Sequence, residues 1–175
     1  MMRRMTSVAA TVAAIGLACV ASAQQSRTID ASPNNITIRG GIGLPLDSSF
    51  SNVSNTFYNV GVEYQLTESF VKGGDSYLSV DGFFNTMQSV DAYVAAINQR
   101  FYTGGGIPGH RSYYFVGLGV TWVSLTNATY DAISGRIGIG TELGPNIIGE
   151  LTGYLCDEVN GSRANFITIN LGYRF

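Results

Sequence analysis

The single histidine in this chain of 175 residues is His110, in the run His110-Arg111-Ser112. A histidine beside a serine can act as base to a nucleophile when a carboxylate orients the imidazole. No glutamate follows this pair closely in the chain. The two cysteines are Cys19 and Cys156. Cys19 falls in a stretch expected to be cleaved off, which leaves Cys156 without a disulfide partner. Gly73-Gly74 and Gly104-Gly105-Gly106 lack the lysine and following helix of a phosphate loop, so they read as turns. The expected catalytic residues, metal ligands and cofactors are therefore none, and no enzyme is expected. What remains is a sparse set of charges whose chemistry is mutual pairing: Arg39, Glu63, Asp81, Arg100, Arg136, Glu142, Glu150 and Arg174.

Those charges must be positioned by strands. Charged residues make up 13% of the chain, against about 25% in soluble domains. The net charge is -2 and no basic run occurs, which excludes a nucleic-acid binder. Apolar and polar residues alternate with a period of two in eight segments: 35–44, 58–66, 77–85, 90–102, 113–125, 132–143, 147–155 and 165–175. Tyr58, Val60, Val62, Tyr64 and Leu66 oppose Asn59, Gly61, Glu63 and Gln65, for example. Each segment is near the length a tilted strand needs to cross a bilayer. All eight named charges fall on the face opposite the branched and aromatic residues. A lipid-facing exterior with charges inside satisfies this pattern, because unpaired charge facing lipid is costly. A soluble barrel would invert it.

The expected fold class is all-β, an eight-stranded antiparallel up-and-down transmembrane β-barrel. Residues 1–23 read as a signal peptide: Arg3-Arg4, an apolar run from Val8 to Val20, then Ala21-Ser22-Ala23. Residues 24–34 read as a short periplasmic segment and 35–175 as the barrel, with no further domain after the last strand. With both termini in the periplasm, Tyr64, Phe101, Tyr114, Tyr173 and Phe175 fall at one rim. Tyr58, Tyr93 and Trp122 fall near the other, giving two aromatic girdles. The outer loops are then about Pro45–Thr56, Thr86–Ser89, Thr126–Asp131 and Cys156–Arg163.

The last strand, Ile167-x-Ile169-x-Leu171-x-Tyr173-x-Phe175, resembles the terminal strand of bacterial outer-membrane β-barrels. The whole expected mature chain is similar to small barrels of the OmpA-transmembrane, OmpX and OmpW type, and Tyr114-Phe115-Val116-Gly117-Leu118-Gly119-Val120 looks like their aromatic–glycine strands. The resemblance implies that these five terminal residues are read by the barrel-assembly machinery. It also implies outer-membrane lipid as the surrounding partner. The OmpW likeness implies an alternative function, a narrow conduit for small apolar molecules. His110-Arg111-Ser112 is similar to the His-x-Ser of the lipid A deacylases, but those enzymes need a nearby glutamate, and this link falls on the periplasmic side.

Three further expectations follow from the strand register and bore. If Leu44 opposes Tyr58, Arg39 lies opposite Glu63. The four inward arginines and four inward acids then neutralise one another. Eight strands enclose a space that side chains nearly fill, so a narrow, filled lumen in a monomeric protein is expected, contributing to envelope structure or surface interaction.

Overall fold

The computed structural model describes residues 36–52, 54–85, 91–103, 107–125, 128–158 and 163–175. The expected signal peptide, residues 24–34 and the loop at 86–89 lie outside these residues. The strands are β1 (Ile36–Pro45), β2 (Phe57–Gln65), β3 (Gly74–Phe84), β4 (Asp91–Thr103), β5 (Ser112–Leu125), β6 (Ala128–Glu142), β7 (Ile147–Cys156) and β8 (Phe166–Arg174). One short helix, α1 (Ser48–Ser51), sits between β1 and β2. Each strand pairs antiparallel with the next, and β8 returns to β1, closing the barrel. Closure gives each strand a neighbour on both sides, the way sheet satisfies its amides in a solvent without water.

Alternation decides which side chains go where. Ile36, Ile38, Ile42 and Leu44 of β1 face out, whereas Thr37 and Arg39 are buried inside. On β8, Ile167, Ile169, Leu171 and Tyr173 are exposed, and Phe166, Thr168, Asn170 and Arg174 are buried. The exposed exterior is therefore the apolar face.

The expected β1–β2 register is corrected. Arg39 pairs with Gly61, and Glu63 pairs with Thr37. The slip is two residues, so every side chain keeps its face, and only the neighbours along the strand change. Two strand starts also move. β6 begins at Ala128, which puts most of the expected loop Thr126–Asp131 into strand, and β3 begins at Gly74 rather than Tyr77.

A second correction concerns Phe101. It belongs by alternation to the outward set of β4, yet it is 1% exposed and stacks on Tyr114 with centroids 5.3 Å apart. The chain between β2 and β3 folds back over this part of the wall. Ser69 Oγ accepts a hydrogen bond from Gln99 Nε2 at 3.0 Å, and both Gln99 and Phe101 are withdrawn from the outer surface. Phe101 is thus not a girdle residue.

Candidate functional site

The lumen is filled in layers. At mid-height three guanidiniums meet three carboxylates. Arg39 contacts Glu150 Oε2 through Nη1 and Asp81 Oδ1 through Nη2, each at 2.5 Å. Its Nη1 also lies 3.3 Å from Glu63 Oε1. Arg100 Nη2 lies 2.8 Å from Glu63 Oε2 and 3.4 Å from Glu150 Oε1. Arg136 Nη2 lies 3.3 Å from Glu63 Oε1 and 3.4 Å from Glu150 Oε2. Arg39 and Glu63 therefore meet on the diagonal, although they are not register partners. The six side chains, three positive and three negative, sum to zero. Taking such groups from water costs several kcal/mol per ion, an expense offset only by close, well-bonded partners. The planar fork of arginine suits this, because one group bridges two acids.

Aromatic rings complete the layer. The Arg100 guanidinium lies 4.5 Å from the centroids of both Tyr77 and Tyr113. Arg136 lies 4.6 Å from that of Phe115. Tyr113 Oη donates to Glu150 Oε1 at 2.8 Å. Absent side chains make the room: a Cβ on Gly61 would come 3.1 Å from Arg39 Nη2, and one on Gly138 or Gly140 would strike the Phe115 or Tyr113 ring.

Glu142 and Arg174 stand apart from that layer. Arg174 Nη1 lies 3.2 Å from Glu142 Oε1, and Arg111 Nη2 lies 2.9 Å from the same oxygen. Glu142 Oε2 also accepts from the Gly109 amide at 2.8 Å. Tyr102 lies under the Arg111 guanidinium at 3.9 Å and donates its hydroxyl to Asp75 at 2.8 Å. Among the described residues no ion pair joins this cluster to the mid-height one. Arg111, Asp75 and Tyr102 were not among the expected site residues. Arg111 carries a usable signal: it extends the inward alternation of Tyr113 and Phe115 by one step. Burial alone would lower the Arg111 pKa, but the hydrogen bond to Glu142 and the neighbouring Tyr102, Glu142 and Asp75 together outweigh it and raise it. The fold also brings Glu142 to the His110 link, which separation along the chain concealed. Its carboxylate is occupied there by two guanidiniums and the backbone amides of Gly109 and Arg111.

At the opposite end the filling is apolar. Phe83 stacks on Phe166 at 4.4 Å and meets Tyr154 edge-on at 5.0 Å, and Phe57 meets Phe166 edge-on at 5.3 Å. Ala92, Val94, Cys156 and Ala164 join this cluster. The Cys156 thiol sits 3.2 Å from Thr121 Oγ1 and 3.1 Å from the Ala164 carbonyl oxygen. The rings lie at the end where β1 joins β2 and β7 joins β8, since Phe57 and Phe166 open β2 and β8.

No family model and no curated protein matches the chain. Solved structures do match it. The N-terminal β-barrel domain of Pseudomonas aeruginosa OprF is similar over 81% of this chain and 98% of its own, at 11% identity and a TM-score of 0.50. Neisserial surface protein A is similar over 82% of this chain and 98% of its own, at 9% identity and a TM-score of 0.53. The chain has the small eight-stranded barrel fold.

The barrel's outer wall places the remaining residues named from sequence. Tyr64, Tyr173 and Phe175 are exposed, and Tyr114 half-buried, toward the end that carries the termini. Tyr58, Tyr93 and Trp122 are exposed toward the other. Tyr173 and Phe175 meet edge-on at 4.9 Å. The Phe175 amide donates to the Ile36 carbonyl at 2.8 Å, extending the seam between β8 and β1 by one bond.

Proposed function

We propose that the chain is an integral, non-enzymatic β-barrel of the bacterial outer membrane, with a lumen closed by its own side chains and termini in the periplasm. It contributes to envelope structure or to surface contact through its loops. The observation that carries this is inverted polarity. Arg39, Glu63, Asp81, Arg100, Arg136 and Glu150 are buried inside, while Ile38, Val60, Val80, Leu118, Ile139 and Ile169 face out. In water this arrangement exposes the apolar surface a soluble protein buries; in lipid it is the favourable one. The conduit alternative needs an open apolar bore, and the packed rings of Phe57, Phe83, Tyr154 and Phe166 argue against one.

The test is refolding into detergent and lipid. Heat-modifiable gel mobility, insertion into vesicles and an absence of porin-sized conductance in planar bilayers are expected. A monodisperse, folded protein in buffer without detergent would overturn the membrane reading, and steady large currents would overturn the closed lumen. For biogenesis, we propose that Ile167, Ile169, Leu171, Tyr173 and Phe175 are read by the assembly machinery. Deleting Phe175 is then expected to leave detergent refolding nearly intact while reducing outer-membrane assembly in cells. Normal assembly of the deletion would leave Phe175 only an interfacial anchor. A monomer is expected by light scattering in detergent.

A further inference from the structure

The segment from Leu66 to Gly73 joins β2 to β3, and its contacts hold it on the barrel wall. Ser76 and Gln99 belong to the outward sets of β3 and β4, yet both are buried. Ser76 Oγ donates to Gln99 Oε1 at 2.6 Å and accepts from the Phe70 amide at 2.8 Å. Ser69 Oγ accepts from Gln99 Nε2 at 3.0 Å and donates to the Val71 carbonyl at 2.7 Å. The Leu66 amide donates to the Ser76 carbonyl at 2.8 Å. Two glycines permit the return. Gly73 has a φ of 87°, which side-chain-bearing residues rarely adopt. A Cβ on Gly74 would come 2.6 Å from Gln99 Nε2. At the apex Phe70 is 65% exposed, between exposed Glu68 and Lys72.

We propose that Leu66–Gly73 is a lipid-anchoring foot, with the Phe70 ring seated at the boundary between acyl chains and headgroups in the leaflet nearest the termini. The proposal rests on the membrane reading above. Three observations converge on it. The segment lies against the lipid-facing side of the wall, as its bonds to Ser76 and Gln99 require. The Phe70 amide and Val71 carbonyl have partners within the protein, the condition for irregular backbone where water is scarce. The exposed ring has a charge two residues away on either side, which favours a shallow interface over the bilayer core. A latched backbone also means that seating the ring orders little additional chain. The occupant is therefore lipid.

The test uses the full-length barrel in phosphatidylcholine–phosphatidylglycerol vesicles. The variant Phe70→Trp is made in a Trp122→Phe background, so that one tryptophan reports. Nitroxide-labelled lipids carry the quencher either near the glycerol or near the chain end. The expected result is a blue-shifted emission quenched more strongly by the shallow label. Adding Ser76→Ala, which releases the latch, is expected to red-shift the emission and weaken that quenching. The parent protein, reporting through Trp122, is measured in parallel. If Trp122 is quenched by lipid while a tryptophan at 70 emits as in water and is unquenched, the foot is overturned and the membrane reading stands. If neither is quenched, both fall. Preferential quenching at 70 by the deep label would also overturn the shallow seat.

Discussion

The mid-height and loop-end layers of the lumen fill similar space by opposite means. The first uses Arg39, Arg100 and Arg136 against Glu63, Asp81 and Glu150, all buried. The second uses Phe57, Phe83, Tyr154 and Phe166. In the ring layer any apolar group of about the right volume is tolerated, because dispersion and burial are not directional. In the ion layer every member depends on the others' charges, because an orphaned charge inside the barrel carries its full desolvation cost. One end is thus plastic in composition and the middle is not, although both close the bore.

Substitutions can break or sharpen this contrast, beginning with the most damaging. Arg39→Met removes the cation that bridges Asp81 and Glu150 and is expected to cost about 3–5 kcal/mol, read as urea unfolding of the barrel in micelles. Equal stability to the parent would mean that the network is not held together by charge. Tyr113→Phe deletes one hydroxyl donor to Glu150 but keeps the ring against Arg100. A loss of about 2 kcal/mol is expected for a bond to a charged acceptor, by the same measurement. Phe83→Leu in the ring layer is expected to lose only about 1 kcal/mol, and a larger loss than that of Tyr113→Phe would reverse the order of the two layers. Arg163→Ala serves as the exposed reference. Its pair with Glu158 is at 3.2 Å, with side chains 46% and 37% exposed, and removal is expected to change stability by less than about 1 kcal/mol.

The strands were legible because alternation in a barrel is a direct image of its two faces. Tyr58 to Tyr64 on β2 and Ile167 to Tyr173 on β8 needed no tertiary knowledge. Registers were not legible, since the β1–β2 slip depends on the connecting chain and α1, where no periodic pattern applies. A two-residue error is invisible to alternation, so Arg39 kept its face but lost its expected register partner. Phe101 misled for a different reason: its parity is outward, but bonds of Ser69 and Ser76 to Gln99, residues remote in sequence, fold a turn over that wall. Glu142 and Arg111 met because a link curls inward, again a tertiary event. The division of the charges into a central layer and a rim cluster likewise needed the third dimension, because strand tilt sets the height of each residue.

The central ions come from β1, β2, β3, β4, β6 and β7, one residue from each. No hairpin contains a neutral subset with its native contacts complete, since Glu150 of β7 is bonded to Arg39 of β1 across the bore. A chain that entered the bilayer two strands at a time would carry into hydrocarbon ions whose native contacts are still incomplete, as Arg39 is until Glu150 of β7 arrives, and incompletely bonded charge is expensive there. Cooperative folding is the expected consequence: the contact of Glu150 with Arg39 across the bore is completed only as the barrel closes, so a half-built sheet has a thermodynamic reason to stay at the water boundary.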